Sequence, residues 1–158
     1  MQAAQRYWLM KCEPEAYTIE QLAKDGTTSW EGVRNFQARN FLREMRVGDM
    51  ALFYASNAKP SGAVGVVEIA RAAYADPVQF QKGHEYYEPK SRPDKPYWST
   101  VDVRFVERFP HVVSLETLKR TPGLEQMMVV QPGRRPSVQP VTAKQFAVVR
   151  RLGRKGET

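Results

Sequence analysis

The chain has 158 residues, 42% of them hydrophobic, and its 24 Lys+Arg against 17 Asp+Glu leave it at +7. That length carries one domain with a sizeable core, and apolar content of this order with its 11 prolines dispersed along the chain excludes a disordered polymer. A single cysteine, Cys12, excludes an internal disulfide and fits a reducing compartment.

The first residues, Met1-Gln2-Ala3-Ala4-Gln5-Arg6, lack the apolar region of a signal peptide. No run approaches the ~20 apolar residues of a membrane span. The expectation is a soluble, cytoplasmic monomer whose positive charge favours polyanionic partners. Tyr7 to Lys11 reads as a short apolar strand closed by Glu13-Pro14. Thr18 with Gln21 three residues on has the form of a capping box. The helix it opens has Ile19, Leu22 and Ala23 on one face and Gly26 as a stop. After the segment Trp30-Glu31-Gly32-Val33-Arg34-Asn35 comes an amphipathic helix, with Ala38, Phe41, Leu42 and Met45 on one stripe and Arg39, Arg43 and Arg46 on another.

Val47-Gly48-Asp49 reads as a turn into a strand from Met50 to Tyr54, and Gly62 to Ala70 as a buried strand. Asp76-Pro77 starts a short helix, and Glu85 to Pro96 is a polar loop. Trp98 to Phe109 alternates as a long half-exposed strand. Ser114 to Lys119 is a helical turn with Leu115 and Leu118 inward, Met127 to Val130 a strand, and Ser137 to Val141 an edge segment. Thr142 caps a last helix with Phe146, Val149 and Leu152 inward and Gly153 at its end. Short helices among strands, without a βαβ rhythm, point to a small mixed α+β barrel. One domain spans residues 5–152 and residues 153–158 form a basic tail. Arg134-Arg135 and Arg150-Arg151-Leu152-Gly153-Arg154-Lys155 carry much of the positive excess.

The chemistry concentrates in two segments. Trp30 to Asn40 joins an aromatic ring, a glycine turn, Arg34 and Arg39, and Asn35 and Asn40. That mixture suits a pocket that stacks a flat base, reads its edge with an amide and holds an adjoining phosphate. Each residue also has an ordinary reading: a Trp before a turn is more often a core plug, and Asn35 suits the N-cap of the next helix. The second segment, Phe53-Tyr54-Ala55-Ser56-Asn57-Ala58-Lys59-Pro60-Ser61-Gly62, has the same chemistry and would form the opposite wall, although Ser, Asn, Pro and Gly are also common turn residues. Tyr86-Tyr87 and Tyr97-Trp98 bracket a loop carrying Lys90 and Arg92, a weaker pattern of stacking and phosphate contact.

Catalytic patterns are thin. His84 and His111 have no Cys or carboxylate at metal-ligand spacing. There is no phosphate-binding glycine loop, no Gly-x-Ser-x-Gly elbow and no paired-carboxylate motif. Cys12 reads as a small buried hydrophobe more readily than as a thiolate. No metal and no cofactor are expected, and nothing argues for an enzyme.

Tyr7-Trp8-Leu9-Met10-Lys11-Cys12-Glu13-Pro14, Trp30-Glu31-Gly32-Val33-Arg34-Asn35, Gln37-Ala38-Arg39-Asn40 and Gly48-Asp49 resemble the EVE domain family. So do Phe53-Tyr54-Ala55-Ser56-Asn57, Val64-Gly65-Val66, Pro89-Lys90-Ser91 and Ser137-Val138-Gln139-Pro140-Val141-Thr142, in order and over nearly the whole chain. The resemblance implies a PUA-like mixed β-barrel flanked by short helices, related to YTH and ASCH domains. It also implies recognition of a modified base in DNA or RNA, as YTH relatives hold N6-methyladenine in an aromatic cage. By motif, Trp30 matches a cage aromatic, Ser56-Asn57 the other side of the pocket, and Trp98 lies near further cage tryptophans. Phe146 stands where a Trp is expected in the last helix and is read as packing; Ala55 stands where a His is common.

Together these give a non-catalytic reader of a modified base in DNA or RNA. Trp30 stacks the base, with Trp98 or Tyr54 as a second face and Val33 in the same wall. Asn35, Ser56 and Asn57 contact its edge, and Arg34, Arg39, Lys59 and Lys90 hold flanking phosphates. The alternative is an enzyme acting on a nucleotide or small molecule in the same pocket; a third reading is a protein-interaction module using the Arg39/Arg43/Arg46 stripe.

Overall fold

The computed structural model describes residues 4–133 and 135–156. Residues 1–3, Arg134 of the basic pair and residues 157–158 of the tail lie outside it. Strands β1 (Tyr7–Cys12), β2 (Thr27–Ser29), β3 (Met50–Ala55), β4 (Gly62–Ala75), β5 (Ser99–Ser114) and β6 (Val138–Val141) form a 6-stranded sheet in the order β2-β5-β4-β3-β1-β6. β1 and β3 run parallel and the other neighbours antiparallel. β6 sits at an edge, where Pro140, lacking an N–H, is tolerated.

The barrel expected from the sequence is not closed: among the described residues no pairing joins β2 to β6. The long pair β4–β5 nevertheless shifts register repeatedly along its length, and each bulge bends the strands and raises their twist. The result is a curled open sheet with four α-helices among the described residues: α1 (Ile19–Asp25), α2 (Phe36–Glu44), α3 (Leu115–Arg120) and α4 (Ala143–Lys155).

Alternation along the strands sends successive side chains to opposite faces, which makes two cores. Trp8, Met10, Phe53 and Ile69 pack with Ile19 and Leu22 of α1 and with Ala38 and Leu42 of α2. Leu9, Leu52, Tyr54 and Val66 pack with Leu118, Phe146 and Val149 beneath α3 and α4. With both faces covered, β1 holds Trp8, Leu9 and Met10 at 0% exposure, which is why it reads as an unbroken apolar run. Phe146 is buried against the Tyr7 ring, centroids 4.7 Å apart.

The helix starts follow local chemistry. Thr18 and Thr142 each complete a capping box, with Gln21 and Gln145, and Asn35 caps α2 by accepting from the Ala38 N–H at 2.9 Å. Two expectations are corrected. Met127–Val130 is not a strand: Met128–Val130 winds as one 3-10 turn, because a short apolar run carries no period that separates helix from strand. Gly153 does not end the last helix, which continues to Lys155 and is capped at Gly156. Gly153 instead lies against the Phe109 ring, where a Cβ would come within 2.3 Å; its smallness serves packing and not termination.

A buried carboxylate holds the start of β1 to the turn after α2. Asp49, 3% exposed, accepts from the Arg6 N–H (3.0 Å), the Trp8 Nε1–H (3.0 Å) and the Arg46 N–H (3.1 Å).

Candidate functional site

Because β1 and β3 are parallel, with Cys12 opposite Ala55, the chain leaves both strands at the same end of the sheet. The Ser56 N–H donates to the Cys12 carbonyl at 3.0 Å and holds the two exits together. A cleft of about 530 Å³ opens there, walled by Lys11 and Cys12 of β1, Tyr17, Ser29 of β2, the segment Trp30–Arg34 and Ser56, with Tyr86 and Arg135 at its rim. Its size falls within the range of small-molecule sites.

Trp30 is anchored by its N–H to the Val101 carbonyl (2.8 Å) and sits edge-on to Phe53, centroids 5.4 Å apart at 84°. At 8% exposure most of the ring is core, and the remainder faces the cleft. Gly32 takes φ 88° and lies under Tyr86, whose ring a Cβ would meet at 2.7 Å. Only glycine allows both that backbone and that contact.

Arg34 joins the cleft to the loop beyond it. Its Nη1 donates to Asp76 Oδ2 (3.0 Å) and to the Val33 carbonyl (2.9 Å), and its Nη2 to the Tyr86 carbonyl (2.8 Å). The guanidinium lies 5.2 Å from the Tyr86 ring and 5.3 Å from the Trp98 ring. Asp76 is fully buried and also accepts from the Gly32 N–H (2.9 Å) and the Val78 N–H (2.9 Å). Beside it, buried Gln79 donates to the Asp76 and Trp98 carbonyls (2.7 and 2.8 Å) and accepts from Ser91 Oγ (2.6 Å) and the Trp98 N–H (3.0 Å). The polar loop is thus pinned from inside, and Tyr86 is held over the cleft.

Three groups lining the cleft are shifted from their ordinary values. Burial, reinforced by the Glu13 charge, raises the Cys12 thiol, so it stays protonated at neutral pH and is a poor nucleophile. Burial and then the hydrogen bond to Asp25 (2.6 Å) push the Tyr17 phenol up to about 12. Burial lowers the Lys11 ammonium. No group of His, Cys, Asp and Glu able to hold a metal occurs among the described residues.

Of the residues singled out in the sequence, Trp30, Val33, Arg34 and Ser56 meet in this cleft. The others are elsewhere. Asn35 is the α2 cap. Arg39 stands outside, donating to the Tyr97 carbonyl (2.9 Å) and to Asn40, and Arg43 reaches Ser99 Oγ (3.0 Å), so the basic stripe is partly tied to the start of β5. Tyr54 follows Phe53 on β3 and points to the opposite core, where burial raises its phenol. Asn57 donates to Glu13 Oε1 at 2.7 Å and shares a separate hollow with Lys59. Lys90 is exposed in the polar loop. Trp98 is 5% exposed, lies under Phe36 with centroids 4.7 Å apart, and has no hydrogen-bond partner at Nε1.

Lys11, Tyr17 and Arg135 were not among the singled-out site residues: Lys11 reads as the end of a strand and Arg135 as half of a basic pair, and only the fold brings them to the cleft. Tyr86 carried a weak signal as half of an aromatic pair beside cations. Asp76 and Gln79, which set the site's frame, read in the sequence only as a helix cap and an unremarked polar residue.

Comparison with known proteins bears on the same frame. Human thymocyte nuclear protein 1 is 41% identical over 167 residues, covering 94% of this chain and 74% of that protein. A crystal structure of a Pseudomonas putida protein superposes with a TM-score of 0.90 at 48% identity, covering 93% of this chain and 99% of the other. The human THYN1 protein in complex with 5-methylcytosine-containing DNA superposes at 0.88 with 40% identity, covering 96% and 99%. The YTH domain of the Zygosaccharomyces rouxii MRB1 protein, at 15% identity and a TM-score of 0.56, shares the fold alone. The EVE domain matches residues 6–152, and the chain belongs to the EVE domain family.

Proposed function

We propose that this protein is a non-catalytic reader of a modified nucleobase, held in the cleft between Trp30 and Ser56 within nucleic acid. The observation that carries it is the cleft itself: about 530 Å³, bounded by the rings of Trp30, Tyr17 and Tyr86 and by the cations Lys11 and Arg135, in a chain 40% identical to a protein crystallised with 5-methylcytosine-containing DNA. Trp30 supplies ring surface, Val33 apolar contact, and Ser56 a hydroxyl for the base edge. Arg34 acts here as the clamp that fixes Tyr86, while Lys11 and Arg135, with Lys59, Lys90 and Arg39 farther out, meet phosphates. The curled sheet is read as a PUA-like barrel left open at its edges, a view the YTH likeness supports. The reading domain is taken to run from residue 5 to the end of α4 at Lys155, since the boundary at 152 expected from the sequence falls inside that helix.

Magnitudes set what to expect. Stacking contributes about 1–3 kcal/mol per base. Burying one methyl adds about 0.8 kcal/mol, roughly a fourfold preference. Binding isotherms on short oligonucleotides of one sequence, with and without a single 5-methylcytosine, are expected to differ by about that factor. Each phosphate contacted contributes a slope of about −0.7 to −0.9 in log affinity against log salt, so binding should weaken as salt rises. Equal affinity for both oligonucleotides, or binding indifferent to salt, would contradict the proposal. Turnover of a nucleotide, lost on Trp30→Leu, would favour an enzyme instead.

A further inference from the structure

The geometry points to a second stacking position outside the cleft: Phe36, backed by Trp98, receives the nucleobase next to the one held at Trp30. This rests on the reader function proposed above. Phe36 is the first residue of α2, two positions after Arg34 of the cleft wall, and is 54% exposed. A lone exposed apolar residue would be unremarkable, but this ring is fixed in place. Trp98, 5% exposed, lies parallel to it at 4.7 Å and 22°, and the Arg39 guanidinium lies 4.6 Å from its centroid. Arg39 is in turn held by the Tyr97 carbonyl at 2.9 Å.

An aromatic ring already ordered by its neighbours loses little entropy when a base stacks on it. The Arg39 guanidinium lies over the face that Trp98 leaves uncovered, so an incoming base takes its place there and the displaced guanidinium turns to that nucleotide's phosphate. A protein that takes one base into a cleft separates it from its neighbours in the strand, and the neighbour left behind needs a new surface. Phe36 provides one within the same continuous stretch, Trp30 to Arg39.

The test uses the full chain and a short oligonucleotide carrying one 5-methylcytosine, with its two flanking nucleotides either intact or abasic. Phe36→Ala is expected to weaken binding about tenfold on intact flanks, equally for methylated and unmethylated strands, and to have no effect on abasic flanks. Phe36→Tyr, which keeps the ring, should stay within about twofold of wild type. Phe36→Leu keeps Trp98 covered and stands in if alanine lowers the melting temperature; it should show the same loss. Unchanged affinity in the folded alanine or leucine variant, or an undiminished loss on abasic flanks, overturns the inference. If Trp30→Leu removes methyl preference while the Phe36 variants are neutral, only the Phe36 site fails. If the wild type binds none of these oligonucleotides, both fail.

Discussion

Asp76→Ala is expected to destabilise the protein by about 3 kcal/mol and to loosen the cleft at the same time. Asp76 has no exposure and receives three donors, from Arg34, Gly32 and Val78. Removing one partner of a buried ion pair costs about 3–5 kcal/mol, chiefly because the other charge is left uncompensated. The Arg34 side chain keeps 19% exposure and can turn partly to water, which places the cost near the lower end. For a domain of this size that corresponds to a fall of roughly 6–12 °C in melting temperature. Asp76→Asn retains an acceptor and should lose less. Arg34→Met in the Asp76→Ala background should recover part of the loss, since the orphaned charge is gone. A melting temperature unchanged in Asp76→Ala would mean that the clamp contributes nothing to the fold.

Trp30→Leu separates the two roles of that ring. Trp→Ala in a core costs about 3–5 kcal/mol, so alanine would confuse folding with binding; leucine retains apolar volume against Phe53. Loss of a stacking surface worth about 1–3 kcal/mol should weaken binding of a methylated oligonucleotide roughly 5- to 150-fold while the chain stays folded. An unchanged dissociation constant in a folded variant would take the base away from Trp30.

The sequence made the helix starts legible because capping is local. Thr18 with Gln21 and the cap at Thr142 declare themselves within a few residues, and both caps form, the second completed as a box by Gln145. β2 left no such trace: Thr27-Thr28-Ser29 has no apolar alternation and becomes a strand only because β5 lies beside it. β4 and β5 run longer than their apolar patterns, since their far ends pair with each other across bulges.

The site divides the same way. Trp30, Val33 and Arg34 stay together because five consecutive residues cannot separate far, and Ser56 joins them through the parallel pairing of β1 and β3. Tyr54 illustrates what a motif cannot resolve. It adjoins Phe53, which touches Trp30, yet a strand sends neighbours to opposite faces, and Tyr54 packs beneath α3 and α4. Arg34 likewise carries the charge expected of a phosphate ligand, but its donors go to Asp76 and two carbonyls, a fact fixed by residues 42 to 52 positions away.

The cleft's occupancy is most directly read from the indole N–H resonances of the chain's 3 tryptophans. During titration with a short oligonucleotide bearing one 5-methylcytosine, the Trp30 signal should move saturably. Trp8, 0% exposed with its Nε1–H given to Asp49 at 3.0 Å, should not move. A stationary Trp30 signal at saturating oligonucleotide would contradict a base held in this cleft.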